Sequence, residues 1–248
     1  MTDRKDELAA NLAKVERRIA AACAAAGRER DEVTLIVVTK TYPATDVRML
    51  SELGVRHVAE NRDQDAAPKA AACADLPLTW HFVGQLQTNK VRSVVGYADV
   101  VQSVDRPRLV TALSREAVRA GREIGCLLQV ALDAGEDGRE PGGAGVPPGG
   151  RGGVAPAGIG ELAALVADSD GLRLDGLMAV APLTGEFAGR QRAAFERLMD
   201  LSTDLRHVHP AANMVSAGMS ADLEEAVAAG ATHVRVGTAV LGVRPRLG

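Results

Sequence analysis

The stretch LIVVTKTYP (35–43) runs four apolar residues into Thr39 and Lys40 and stops at Pro43. A buried ammonium is costly, and a lysine amine shifts its pKa readily when desolvated. Lys40, at the lip of a core strand, is therefore either a snorkelling surface residue or an amine placed for chemistry. Near the other end of the chain, SAGMS (216–220) sets Ser216 and Ser220 on either side of Gly218 and Met219, directly before a helical pattern. RVGTAVLG (235–242) sets Gly237 and Thr238 before another short turn. Helix N-termini expose free N–H groups and a positive dipole end, which suit a phosphate, and glycine lets the backbone approach an anion closely. An ordinary turn with Ser220 as the N-cap is the alternative for SAGMS. An amine facing two phosphate-type loops suggests a phosphorylated aldehyde held as a Schiff base, of which pyridoxal phosphate is the common case. Arg235 shares its side of the strand with Gly237 by the period-2 rule. A guanidinium can only donate, so Arg235 would keep a pyridine nitrogen unprotonated and weaken the ring as an electron sink. A structural ion pair is the alternative for Arg235.

These residues need elements to hold them. Leu8, Leu12, Val15 and Ile19 recur at helical spacing, which predicts a helix over 6–26 closed by Gly27. The chain then alternates. Apolar runs at 35–40, 57–61, 79–84, 100–105, 126–133, 172–180, 213–218 and 232–238 read as strands, and amphipathic stretches lie between them. Runs apolar on both faces fit a parallel sheet covered by helices. Eight such units match a single (β/α)8 barrel of the TIM type with an extra N-terminal helix, one domain over 1–248. A doubly wound open sheet is the runner-up, weakened because no GxGxxG follows the first strand. In a barrel the chemistry sits where strands end. Those ends carry Lys40, Glu60 and Asn61, Gly84, and Asp105, with His81 inside the third strand. The segment 135–158 is dense in Gly and Pro and reads as a long flexible loop after the fifth strand, either a neutral insertion or a functional lid.

With 46% hydrophobic and 25% charged residues and a net charge of -3, the composition is that of a globular protein. Nothing in it points to nucleic acid or an anionic membrane, and RNA-stacking modules need aromatics, which make up 2% of this chain. Cys23, Cys73 and Cys126 are scattered outside any CxxC, which favours a reducing compartment over a disulfide framework or a zinc site. The charged N-terminus is no signal peptide, and no apolar run is long enough to span a bilayer. A cytoplasmic location is expected.

The motifs VVTKTYP, HVAENRDQDA, LTWHFVGQLQTNK, LDGLMAVAP and SAGMSADLEEAVAAGATHVRVGTAVLG together resemble the pyridoxal phosphate homeostasis proteins, single-domain relatives of the alanine racemase barrel, over about 33–243. The resemblance implies a PLP fold type III-like barrel that binds pyridoxal 5'-phosphate on Lys40. It further implies cofactor-binding roles for Asn61, His81, Ser216, Gly218, Met219, Ser220, Arg235, Gly237 and Thr238. The implied function is intracellular buffering and delivery of the cofactor, with PLP-dependent apo-enzymes as recipients and the protein a monomer or weak homodimer, without a conventional reaction. A racemase-like enzyme of low activity is the alternative; it needs a second acid/base residue, and none is evident. A Schiff-base aldolase ranks last. The chain departs from the family pattern where VAEN replaces a Phe-Gly pair before Glu-Asn, where Gln85 replaces a common proline, and in its longer Gly/Pro-rich loop. Of the remaining polar residues, Tyr42 is read as rim packing over proton donor, His207 and His209 as a surface loop over a metal site, and Cys126 as core. Asp105 and Asp133 are read as caps over substrate orienters, and Lys90 and Arg92 as a solvated basic turn.

Overall fold

A computed structural model describes residues 4–133 and 152–242. Its sheet closes on itself in the order of the chain, every neighbour parallel, which excludes the open doubly wound alternative. The strands are β1 (Thr34–Val38), β2 (His57–Glu60), β3 (Thr79–Phe82), β4 (Val100–Val104), β5 (Ile124–Gln129), β6 (Leu172–Met178), β7 (Met214–Ser216) and β8 (His233–Val236). The seam between β8 and β1 is set by the pairs Thr34 with His233 and Ile36 with Arg235. The helices are α1 (Arg4–Ala25), α2 (Ala44–Glu52), α3 (Asp63–Ala72), α4 (Val91–Val95), α5 (Pro107–Ala120), α6 (Ile159–Ala167), α7 (Gln191–Val208), α8 (Leu223–Ala229) and α9 (Thr238–Leu241). α5 and α8 stop at Gly121 and Gly230, both in the left-handed region, where a C-terminal cap is expected.

Most strands end one or two residues earlier than the apolar runs suggest, because the last residues of each run have left the ladder and line the mouth. β5 differs more. It begins at Ile124, where Gly125 donates to the Asp99 carbonyl, and it ends at Gln129, so 130–133 is not strand. Part of the segment expected to be a flexible loop is ordered. Val154 forms a parallel bridge with Val130, and Pro156–Gly158 is a 3-10 turn leading into α6. The remainder of that segment, 135–151, lies outside the described residues.

Outward-facing strand residues pack on the helices. Val37, Val58, Val234 and Val236 join Leu8, Val15 and Ile19 of α1 in one cluster, and Val101, Leu128 and Leu177 join Leu113, Leu162 and Phe195 in another. A third, small cluster of Val100, Leu127 and Met178 fills one side of the barrel bore. The other side of the bore is polar. α1 lies over the closing seam. Its Arg4 donates to Asp46 at 2.6 Å and to the Leu241 carbonyl at 3.0 Å, and its Arg18 donates to Glu224 and to the Ser220 carbonyl.

Candidate functional site

The mouth of the barrel is built from the residues just past the strands. After β1 the chain buries Thr39, exposes Lys40 and turns at Thr41, whose φ of +71° is the one positive value at a non-glycine among the described residues. Such a conformation costs roughly 1–2 kcal/mol and persists only when its surroundings impose it. Here they do. The Thr39 carbonyl accepts from Lys69 Nζ at 2.8 Å and from the Tyr42 N–H at 3.1 Å, while the Thr39 hydroxyl donates to Glu60 Oε1 at 2.6 Å. Lys69 also pairs with Glu60 at 2.5 Å, and both are buried. A buried ion pair therefore clamps the turn that presents the Lys40 amine. Neither the VVTK motif nor strand-end logic singled out Lys69. The only signal was a basic residue in an alanine-rich helix, DQDAAPKAAA.

Asn61 follows β2, next to Lys40's strand. Its carbonyl lies where a Cβ on Gly84 would sit, 2.0 Å away, so β3 must end in glycine for the two loops to touch. Asn61 and Gln85 line a cavity of about 250 Å³ with Arg62 and Lys90. Gln85, the residue at the usual proline position, approaches Gly152 where the long βα segment returns, as does Asp105 Oδ2. Gln129 Nε2 donates to the Gly152 carbonyl.

On the other side of β1 lies β8, with β7 next to it around the ring. Gly218 has φ +85°, and a Cβ there would lie 2.6 Å from that of Ala226, so this turn requires glycine in both respects. The helix after it does not start at Ser220. α8 begins at Leu223 with Asp222 in the cap position, and Asp222 Oδ1 accepts from the Met219 N–H at 2.6 Å. Met219 is exposed and Ser220 half-buried, with the Ser220 carbonyl held by Arg18. Gly237 precedes α9, and Thr238 is exposed at its first residue.

Arg235 points into the bore, since Val234 and Val236 pack outward. Its Nη1 donates to Ser216 Oγ at 2.6 Å and its Nη2 to the Ala179 carbonyl at 2.8 Å, just past β6. Burial pulls the guanidinium down to about 10, so it stays charged at neutral pH. No carboxylate pairs with it, so a structural ion pair does not explain it among the described residues. Ser216 differs from the expectation that its hydroxyl faces a phosphate: it is fully buried, accepts from Arg235 and donates to Gln102 Oε1 at 2.7 Å. His81 likewise does not offer a free nitrogen to the mouth. Nδ1 lies 2.9 Å from Gln102 Nε2, and Nε2 lies 3.1 Å from His57 Nδ1. Burial, with His57, His233 and Arg235 nearby, holds its pKa well below the usual histidine value. Gln102, His57 and His233 were missed from the sequence. Their signal was a polar side chain at an alternate position of an otherwise apolar strand.

The other polar candidates resolve simply. Tyr42 donates to the Gly242 carbonyl at 2.7 Å under the Arg4 guanidinium, a rim contact. Asp105 does not cap α5. Arg106 holds that position with no side-chain bond, and Asp105 pairs with the Arg106 guanidinium. Cys126 is fully buried, and burial raises its thiol pKa. His207 and His209 lie at the end of α7 and just after it, and no group of metal-ligating side chains occurs among the described residues.

An amine past β1, glycine turns with an exposed hydroxyl past the neighbouring β8 and β7, and a donor-only cation in the bore fit a phosphorylated pyridine aldehyde by donor chemistry. Comparisons with known proteins agree. The family model described as "Alanine racemase, N-terminal domain" matches residues 6–245. The pyridoxal phosphate homeostasis protein of Mycobacterium tuberculosis (strain H37Rv) is 41% identical, over 98% of this chain and 95% of its own. That of Escherichia coli K12 is 34% identical, over 96% and 97%. The structure of PipY from Synechococcus elongatus with PLP bound superposes with a TM-score of 0.77 at 34% identity, covering 95% of this chain and all of that one. An alanine racemase from Clostridium difficile, at 14% identity and TM-score 0.70, shares the fold.

Proposed function

We infer the function from one premise: this chain belongs to the pyridoxal phosphate homeostasis protein family, within the wider family of the alanine racemase N-terminal domain. On that premise it binds pyridoxal 5'-phosphate at the barrel mouth and serves to hold and deliver it. The observation that carries the reading is Arg235, a buried charge with donors only, on the strand next to the one that presents Lys40 and fixed in the bore by Ser216 and the Ala179 carbonyl. When bound, the cofactor supplies an aldehyde and an electron-withdrawing ring. Lys40 would hold the cofactor through its amine nitrogen at that aldehyde carbon. Asn61 borders the mouth beside it. Gly218, Ser220, Gly237 and Thr238 would supply N–H groups and hydroxyls for the phosphate, with Met219, whose N–H is held by Asp222, in the same turn. Arg235 would donate toward the ring nitrogen and so keep a proton off it, which would weaken the ring as an electron sink and suit storage over turnover. His81 and Ser216 act through Arg235. We place the protein in the cytoplasm, as a monomer or weak homodimer with apo-enzymes as recipients; its three buried free thiols suit a reducing compartment.

The test is the visible absorption spectrum of purified protein with added cofactor, before and after borohydride, followed by peptide mapping. A yellow band that bleaches, with a pyridoxyl mass on Lys40, is expected. Lys40→Ala is expected to lose that adduct and keep the fold. A reducible adduct retained on Lys40→Ala would sink the assignment, and failure of the native protein to take up the cofactor would sink the function. Turnover assays with D- and L-amino acids test the racemase-like alternative.

A further inference from the structure

Five side chains form one hydrogen-bonded chain across the bore. It runs from Arg235 on β8 to Ser216 on β7, Gln102 on β4, His81 on β3 and His57 on β2, with links of 2.6, 2.7, 2.9 and 3.1 Å. Arg235, Ser216, Gln102 and His81 are all at least nine-tenths buried. Its direction follows from its first member. Arg235 cannot accept, so Ser216 Oγ accepts there and has one proton left to give. It gives that proton to Gln102, which must present its carbonyl oxygen. The amide nitrogen then faces His81 Nδ1, which must be a lone pair. His81 therefore carries its proton on Nε2 and donates to His57 Nδ1. Rotating the Gln102 amide would set two donors on Ser216 and strand the hydroxyl proton in a buried site, which is costly. Only one polarity satisfies every member. The charged and titratable groups around His81 are His57 from β2 and His233 and Arg235 from β8, and none is an acid that would favour a second proton on the ring.

We propose that Gln102, Ser216 and His81 are positioning residues for Arg235: the single polarity of the chain fixes the rotation of the guanidinium in the floor of the mouth and holds His81 as the neutral Nε2–H tautomer. The part concerning ligand affinity rests on the functional reading above, in which Arg235 meets the ring nitrogen of pyridoxal phosphate. Ala179 holds one arm of the fork by its carbonyl, and Ser216 holds the other. Ser216 is itself held by Gln102. Removing the Gln102 carbonyl frees the Ser216 hydroxyl to rotate and loosens the fork.

Two readouts test this, one of them without cofactor. Imidazole nitrogen NMR on the apo protein, which has five histidines, should show His81 with Nδ1 unprotonated and Nε2 protonated at neutral pH. Gln102→Glu presents oxygens to both neighbours, so it should place a proton on His81 Nδ1. For the second readout, equilibrium binding of pyridoxal phosphate should weaken less in Gln102→Glu, which still accepts from Ser216, than in Gln102→Met, which cannot. It should weaken about tenfold in Gln102→Met, roughly the worth of one buried hydrogen bond. A role in packing alone would lower the melting temperature of both variants without that split. An Nδ1–H tautomer in the native apo protein would overturn the polarity, and native affinity in Gln102→Met would overturn the positioning role. If the native protein does not take up the cofactor, the functional reading fails, while the apo tautomer still decides the polarity with no variant required.

Discussion

Lys40 and Lys69 are both basic residues near the same strand end, and their surroundings give them different work. Lys40 is exposed beyond β1, whereas Lys69 is buried and paired with Glu60 and the Thr39 carbonyl. Removing one member of a buried pair leaves an uncompensated charge and costs about 3–5 kcal/mol. Lys69→Met should therefore lower the stability to chemical denaturation by that order, and Lys69→Met with Glu60→Gln should recover at least half. The same clamp holds the positive-φ turn at Thr41, so the single variant should also weaken cofactor binding measured by absorbance. Equal stabilities of the single and double variants would show that the pair does not act as a unit.

α1 is the element that sets this barrel apart from a bare ring of strands and helices. Its Leu8, Val15 and Ile19 bury against the seam, and its polar residues hold the segments that follow β7 and β8. Arg18 fixes the Ser220 carbonyl at 3.0 Å, and Arg4 fixes that of Leu241. Arg18 is 36% exposed and Glu224 45%, so solvent screens the pair, and Arg18→Ala should change global stability by no more than about 1 kcal/mol. The local effect should be larger. Hydrogen exchange over 218–223 is expected to speed up in Arg18→Ala while the core strands keep their protection. Unchanged exchange there would mean that Asp222 and Gly218 set the turn without help from α1.

At the scale of the whole molecule, the polar half of the bore makes stability depend on pH. His233, burial of which pushes its pKa down to about 4, is neutral in the folded state above that pH, and burial shifts His57 and His81 in the same direction. An unfolded histidine protonates near 6.5. Between about 6.5 and 4 the unfolded chain therefore binds more protons than the folded one, and stability falls as pH falls. His233 alone contributes on the order of 3 kcal/mol above that window. The denaturation midpoint should drop steadily from pH 7 to pH 4, and His233→Asn should flatten the drop. An identical slope in the variant would remove His233 from this account.

Much of the protein was legible in local pattern. The alternation of apolar runs with amphipathic stretches encodes strands and covering helices, and in a parallel barrel the residue after each strand lies at the mouth. Lys40, Asn61, Gly218, Gly237 and Thr238 could be read off as strand-end residues for that reason. The family motifs extended the reading to the cofactor. What tertiary structure alone decided is which side chains meet across the bore. Ser216 lay in a phosphate-type motif, yet its hydroxyl belongs to Arg235 and Gln102. Gln102 lay in no motif, and His57, although it opens HVAENRDQDA, was given no role there. Strand period places a residue inside or outside, but depth along the bore depends on the register of each strand against its neighbours and on closure of the ring, and those are fixed only when all eight strands pair.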